Sequence, residues 1–271
     1  MSTIQPGYEI APDGTAYDVW HKADAPVVVL IHGLGLCRHM WRDHIADFAS
    51  DYQVVSYDLL GHGDSAAPTA PTDLSLYAKQ LCGLLDHLQI DKAALVGFSI
   101  GGMINRRFAL DYADRLSALA ILNSPHDRGD EAQALVEARA AAVRSEGAMA
   151  TMEAALERWF TDDYRTSYPD FMETVRVWRR QVDAQSYAEA AWVLATGVKE
   201  LTRPTKRVNV PTIVITSEND SGSTPDMAAT IAGEIDQVEI CIVPELKHLG
   251  LIEQPQSFTL PVIEFFRKLP L

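Results

Sequence analysis

The chain has 271 residues, of which 47% are hydrophobic and 22% are charged, a composition typical of a globular protein and not of a disordered one. Its 37 acidic residues outnumber the 23 basic ones and give a formal net charge of −14. A field of this sign repels phosphate backbones and anionic lipid, so we expect neither nucleic acid nor a membrane surface as a partner.

The sequence also bears on the cellular compartment. The longest apolar stretch, residues 25–31, is too short to span a bilayer. The first nine residues contain no basic region followed by an apolar run, so no secretory signal is predicted. The three cysteines, Cys37, Cys82 and Cys241, form no CxxC pair and indicate no disulfide framework. Together these features predict a cytoplasmic protein.

Along the chain, predicted strands alternate with predicted helices. Residues 8–10 and 16–20 flank the turn dipeptide Asp13-Gly14 and predict a β-hairpin. The unbroken, mostly β-branched run at 27–31 is typical of a central strand that is buried on both faces. Further strands are predicted at 53–57, 93–96, 119–122, 212–216 and 238–243, and helices at 74–88, 101–112 and 261–268. This alternation predicts βαβ crossovers and a mostly parallel sheet of α/β class.

Residues 126–205 interrupt the alternation because they are rich in predicted helix and contain no good strand. Two helices are predicted at 131–144 and 149–160, separated by Gly147. A third begins at Tyr168-Pro169, and a fourth covers 187–196. Helices inserted between two strands of one sheet indicate a lid, although a helical subdomain that only packs is the alternative. The predicted organisation is a core domain of residues 1–125 and 206–271, with a helical cap at 126–205.

A candidate nucleophile lies in the segment from Gly97 to Gly101, which has the pattern Gly-x-Ser-x-Gly between a predicted strand and a predicted helix. The turn that this context implies is tight, so positions 97 and 101 require small residues. We expect Ser99 to adopt a strained conformation with its Oγ exposed. The positive end of the following helix favours negative charge beside this serine.

A serine needs a base to act as a nucleophile, and the base needs a carboxylate to orient it. His248 follows the last predicted strand, where a hydrolase with the order serine, acid, histidine carries its base. His126, which follows an earlier strand, either lines a pocket or is an ordinary loop histidine. Asp220 lies shortly after the strand at 212–216 and is the favoured carboxylate, with Glu218 as the alternative.

Two backbone N–H groups must stabilise the oxyanion that forms when a carbonyl is attacked. Ile100 follows the nucleophile and supplies one, and Leu34 is the expected second donor. Gly33 and Gly35 flank Leu34 and allow the backbone to approach a substrate. Because Arg38 stands where a dinucleotide fingerprint needs glycine, no nucleotide cofactor is predicted. No spacing of metal ligands is found either, so no metal is expected.

The substrate pocket is the least defined part of the site. Four large aromatic residues either line an apolar pocket or pack in the core: Trp41, Phe98, Trp159 and Trp192. Gly33 and His126 are two further candidates for the pocket lining. An anionic substrate would need a cationic contact, for which Arg38, Arg128, Arg179 and Arg180 are candidates by position, with a solvated surface role as the alternative for each.

The order of these motifs resembles the α/β-hydrolase superfamily over nearly the whole chain. The matching pieces are His32-Gly33-Leu34-Gly35, the segment 58–65, the segment 97–102, Asp220 and His248. The resemblance implies a mostly parallel eight-stranded sheet flanked by helices, an inserted helical lid and a triad of Ser99, Asp220 and His248. Within the superfamily the chain is similar to the 3-oxoadipate enol-lactonase and small-esterase branch, although Ile100 stands where enol-lactonases usually have Met or Leu.

The resulting hypothesis is a serine hydrolase that cleaves a small carboxylic ester or lactone through an acyl-enzyme and works as a monomer or homodimer. Two alternatives remain open. The first is a hydrolase of carbon–carbon bonds of the meta-cleavage type, which uses the same triad. The second is a small-molecule receptor with a hydrolase fold and slow turnover.

Overall fold

A computed structural model describes residues 7–271, and one sheet of eight strands forms their centre. The strands are β1 (Gly7–Ile10), β2 (Ala16–Trp20), β3 (Val27–Ile31), β4 (Gln53–Tyr57), β5 (Ala93–Phe98), β6 (Leu116–Leu122), β7 (Thr212–Ser217) and β8 (Val238–Val243). Their spatial order is β1-β2-β4-β3-β5-β6-β7-β8. The pairs β1–β2 and β2–β4 are antiparallel, and every other neighbouring pair is parallel. The predicted mostly parallel sheet is therefore confirmed.

Helices cover both faces of the sheet. They are α1 (Ile45–Ala49), α2 (Leu74–His87), α3 (Ile100–Asp111), α10 (Pro225–Gly233), α11 (Gly250–Glu253) and α12 (Gln256–Phe266). Alternate residues of the central strands join two separate hydrophobic clusters, one with α2, α3 and α10 and the other with α1 and α12. Among residues 7–271, no helix is both long enough and apolar enough to cross a bilayer.

Six further helices are inserted between β6 and β7. They are α4 (Asp130–Glu146), α5 (Met152–Trp159), α6 (Asp162–Ser167), α7 (Pro169–Gln181), α8 (Ala184–Thr196) and α9 (Val198–Leu201). The four helices predicted in this stretch are present, and α6 and α9 are additional short ones. Gly147 has a positive φ of 83° and separates α4 from the turn before α5, as expected.

The last helix differs from the prediction because it begins at Gln256 and contains Pro261 in its interior. A proline there removes one helical N–H donor and would normally weaken the helix. The helix persists because Phe258, Val262, Ile263 and Phe266 are buried against the sheet, and this packing stabilises it more than the lost bond weakens it. Residues 1–6 of the predicted core domain, and with them most of the segment that shows no secretory signal, lie outside the described residues.

Three of the buried histidines, His32, His44 and His62, predict how stability depends on pH. Burial lowers the pKa of His32 and of His44 to about 4 and that of His62 to about 3. Below pH 6.5 the unfolded chain therefore binds protons that the folded chain excludes. Stability should fall as the pH drops from about 6.5 to 4, by about 1.4 kcal/mol per pH unit for each histidine.

Urea unfolding at pH 7.5 and at successively lower pH values would measure this loss. For the three histidines together the expected slope is about 4 kcal/mol per pH unit below pH 6. Ordinary carboxylates titrate near pH 4, so a loss that begins above pH 5 identifies histidine as the cause. A free energy of unfolding that stays constant down to pH 5 would contradict the prediction.

Candidate active site

The candidate nucleophile lies in a sharp turn between β5 and α3. Ser99 has a φ of 56° and a ψ of −115°, a conformation that non-glycine residues rarely adopt. A Cβ at position 97 would collide with the carbonyl oxygen of Gly101, and a Cβ at position 101 would lie 2.5 Å from the carbonyl oxygen of Ile31. Only glycine fits at these two positions, as the sequence pattern predicts.

Two hydrogen bonds between Ser99 and the end of β6 with the residues after it hold the strained serine in place. The Ser99 N–H donates to the carbonyl oxygen of Leu122 at 2.9 Å, and the Ser124 hydroxyl donates to the carbonyl oxygen of Ser99 at 2.9 Å. The backbone of Ser99 is therefore fixed on both sides. Its side chain stays at the N-terminus of α3, where the helix dipole favours negative charge.

The structure brings Ser99, His248 and Asp220 together. The His248 Nε2 atom lies 3.2 Å from the Ser99 Oγ, and the His248 Nδ1 atom lies 2.6 Å from Asp220 Oδ2. The three residues follow β5, β8 and β7, whose carboxyl ends meet at one edge of the sheet. This hydrogen-bonded chain has the connectivity of a nucleophile, a base and an orienting carboxylate.

The Asp220 carboxylate is buried and well satisfied by hydrogen-bond donors. Burial alone would raise the pKa of Asp220, but the electrostatic interaction and hydrogen bond with His248, together with the other donors around the carboxylate, lower it below its ordinary value. Besides His248, Asn123 Nδ2 donates to Oδ2 at 2.9 Å, and the N–H groups of Gly222 and Ser223 donate to Oδ1 at 2.8 and 3.0 Å. Asp220 therefore stays ionised beside the imidazole.

The alternative carboxylate, Glu218, has a different role. Its Oε2 accepts the N–H of Glu245 at 2.9 Å, and no contact joins it to His248. Asn123, which holds Asp220, was missed by the sequence reasoning. The available signal was its place directly after β6, at the same sheet edge as the triad.

The two expected oxyanion donors are free to bind a substrate. Within the described part of the chain, neither the Leu34 N–H nor the Ile100 N–H donates to another backbone or side-chain group. Gly35, next to Leu34, has a positive φ of 71°. A Cβ at Gly33 would lie 2.8 Å from a ring carbon of Phe98. Gly33 therefore lets the loop pack closely on Phe98 and does not itself line the pocket.

A cavity of about 540 Å³ opens on Ser99 and His248 and extends beneath the inserted helices. The pocket candidates Phe98 and Trp159 line it, and so does Leu34. The rings of Phe98 and Trp159 lie 4.9 and 6.3 Å from the His248 ring, measured between centroids. Within residues 7–271, no three His, Cys, Asp or Glu side chains are close enough together to hold a metal ion.

Three other pocket candidates do not line this cavity. His126 is buried elsewhere, with its Nε2 atom 3.0 Å from Glu234 Oε2. Trp192 packs with the inserted helices, and the guanidinium of Arg144 lies 5.3 Å from its ring centroid. Trp41 is fully buried in the core beside α1. In each case the backbone direction of the element, which sequence alone does not give, turns the side chain away from the cavity.

The four candidate cations separate into two groups. Arg128 and Arg179 line the cavity. Arg180 pairs with Glu173 on the surface, which is the solvated role that the sequence left open for it. Arg38 has neither of its two expected roles, because it is buried among Asp18, Asp58 and Asp64. Two more arginines, Arg139 and Arg158, line the cavity and were missed, because their helices were predicted without their orientation.

Comparisons with known proteins agree with this fold. Residues 26–147 match a family described as the alpha/beta hydrolase fold. The chain is 31% identical over 242 residues to 3-oxoadipate enol-lactonase 2 of Acinetobacter baylyi, covering 89% of each chain. It is 25% identical to (E)-2-((N-methylformamido)methylene)succinate hydrolase of the same organism, covering 88% of this chain and 89% of that one. The crystal structure of the enol-lactonase from Burkholderia xenovorans superposes with a TM-score of 0.84 at 28% identity, covering 96% of this chain and all of that one.

Proposed function

The chain belongs to the α/β-hydrolase fold family, and from this premise we propose that it hydrolyses a small carboxylic ester or lactone through an acyl-enzyme on Ser99. The observation that carries the proposal is the hydrogen-bonded chain from Ser99 through His248 to Asp220, open to a cavity. The residues 126–205, inserted between two strands, serve as the cap of a core formed by residues 1–125 and 206–271.

In the first half of the reaction, the Ser99 Oγ attacks the carbonyl carbon while His248 Nε2 accepts its proton. Asp220 stabilises the imidazolium that forms and keeps the ring oriented. The N–H groups of Leu34 and Ile100 donate to the oxyanion, each contributing about 3 kcal/mol to the stabilisation of the transition state. When the tetrahedral intermediate collapses, the carbon–oxygen bond of the ester breaks and His248 returns the proton to the leaving alcohol.

In the second half, water attacks the acyl carbonyl and His248 accepts the proton of this water. The same two N–H groups stabilise the second oxyanion, and its collapse releases the acid and restores the Ser99 hydroxyl. For a lactone the leaving alcohol stays attached to the acyl chain, so ring opening gives one product. The relatives support this reaction class, because two of them are named enol-lactonases.

Labelling of Ser99 tests the proposal directly. A fluorophosphonate should react with the activated serine and lose fluoride, and peptide mass spectrometry should find the phosphonyl group on Ser99. The wild type should also hydrolyse p-nitrophenyl acetate and butyrate in steady state. Steady turnover would exclude a receptor with slow turnover. It would also show that the enzyme does not require a substrate with a scissile carbon–carbon bond. A folded protein that neither reacts with the probe nor hydrolyses either ester would overturn the proposal.

A further inference from the structure

The cavity has a charge opposite to that of the whole protein. The chain carries a net charge of −14, yet four arginines line the cavity: Arg128, Arg139, Arg158 and Arg179. In the lining formed by residues 7–271, the one acidic residue is Asp220, and its carboxylate is already engaged by His248. Low-dielectric walls concentrate the field of such charges inside a cleft. The cavity is therefore a positive site on a negative protein.

One of the four arginines is engaged by the protein itself. Arg128 donates to the carbonyl oxygens of Leu194 and Ala195 and to Gln133 Oε1, at 3.2 to 3.3 Å. These bonds tie the start of α4 to the end of α8. Its donors are directed at protein oxygens, so Arg128 has a structural role in the insertion.

The other three arginines come from three different helices, with Arg139 on α4, Arg158 on α5 and Arg179 on α7. Within residues 7–271, none of them has a carboxylate within 4 Å. Partial desolvation, followed by the charges of Arg139 and Arg179, lowers the pKa of Arg158. The three guanidinium groups therefore repel one another with no protein anion between them.

Arg179 is the buried member of this set, with only 2% of its surface exposed. Its guanidinium lies 4.8 Å from the ring centroid of Trp159 and 5.3 Å from that of Tyr187, within the range of a cation–π interaction with each ring. Among the described residues, its one hydrogen-bond partner is Thr151, whose Oγ1 accepts from Nη1 at a long 3.4 Å, and its Nε has no acceptor there. A buried guanidinium with unused donors lowers the stability of the protein unless a ligand accepts hydrogen bonds from those donors.

Arg179 also lies beside the loop that carries an oxyanion donor. A Cβ built at Gly35 would be 3.2 Å from Arg179 Nε. The unused Nε donor of Arg179 therefore lies beside Gly35, the residue that follows the expected oxyanion donor Leu34. Ser99 and Arg179 line the same cavity, so one ligand can contact both.

From these contacts we propose that the preferred substrate has an acyl chain ending in a carboxylate, and that Arg179 binds this carboxylate while Arg139 and Arg158 attract it at the mouth of the cavity. The inference rests on the proposed ester or lactone hydrolysis. A carboxylate matches the planar donor edge of a guanidinium. We assign the anion to the acyl part because Arg179 lies on the buried wall of the cavity, beside the loop that carries the expected donor to the acyl carbonyl oxygen.

Two ethyl esters of the same shape test the charge alone. Monoethyl succinate ends in a carboxylate, and ethyl isocaproate has an isopropyl group in its place. The wild type should hydrolyse monoethyl succinate with the higher kcat/KM, measured by titration of the released acid. In Arg179→Met the ratio of the two kcat/KM values should fall by about 10- to 100-fold, the range expected for a hydrogen-bonded charge contact.

Arg180→Met is the matched control. Arg180 is the next residue of α7, loses the same charge, and pairs with Glu173 on the surface. In Arg180→Met, the ratio of the two kcat/KM values should stay within about two-fold of the wild-type ratio, because exposed charges are strongly screened by salt. Turnover of ethyl isocaproate by Arg179→Met shows that the variant is folded. If it does not fold, Arg179→Gln is the second variant, with the same expected loss of preference.

An unchanged ratio in Arg179→Met, or an equal fall in Arg180→Met, overturns the inference while leaving ester hydrolysis intact. If the wild type cleaves neither ester, the proposed function fails on these substrates and calorimetry decides the anion site separately. Succinate should then bind the wild type and should bind Arg179→Met at least ten-fold more weakly (about 1.4 kcal/mol). Equal binding to both proteins would overturn the inference in that case also.

Discussion

Ser99→Ala should lower kcat for p-nitrophenyl butyrate by about 10⁶-fold, or to the limit set by spontaneous hydrolysis, as expected for the loss of a triad nucleophile. The substituted side chain removes the Oγ that lies 3.2 Å from His248 Nε2. It leaves the rest of the cavity in place, because alanine keeps the Cβ and the turn is fixed by backbone bonds. Steady-state kinetics at high enzyme concentration measure the residual rate.

Further variants serve as controls, because the three triad residues act as a unit and the effects of their substitutions do not add. Asp220→Asn should lower kcat by about 10⁴-fold, because an amide no longer holds His248 with its Nε2 free to accept a proton. Glu218→Gln, two residues away, should leave kcat within about two-fold, since Glu218 contacts the Glu245 N–H and not the histidine. The double variant Ser99→Ala, Asp220→Asn should be no slower than Ser99→Ala alone. Equal losses in Asp220→Asn and Glu218→Gln would show that the assignment of the acid is mistaken.

Arg38→Met should lower the free energy of unfolding by about 3 to 5 kcal/mol, the cost of leaving a buried ion pair without one partner. The side chain of Arg38 donates from Nε to Asp18 at 3.0 Å and from Nη1 to Asp58 and Asp64. The backbone N–H of Arg38 donates to Asp58 Oδ1 at 2.7 Å. The side chains of Asp18 and Asp58 are 7% and 0% exposed, so two buried carboxylates would lose their cation. Urea unfolding at pH 7.5 measures the change.

Arg42→Met is the matched control for stability. Arg42 pairs with Asp43 on the surface, where both side chains are more than half exposed, and its loss should change the free energy of unfolding by less than about 1 kcal/mol. An equal loss of stability in Arg38→Met and Arg42→Met would contradict the prediction.

The sequence by itself was sufficient to predict the features that depend on short segments of the chain. The glycines at 97 and 101 and the strand before them predict the strained turn at Ser99, because local sterics alone require it. The β-branched strands and the helices between them predict the parallel sheet, since strand burial and crossover length are visible in the residue pattern. His248 and Asp220 were identified because each follows a predicted strand, and parallel strands end at one edge.

Only the tertiary structure decided which side chains face the cavity. Helical periodicity locates α4, α5 and α7, but their rotation and packing against one another determine that Arg139, Arg158 and Arg179 converge. The same limit explains why Trp192 and Arg38, equally plausible by position, are directed elsewhere. Direction in space depends on contacts between segments that are distant in the chain, and a pattern read along the chain contains no information about those contacts.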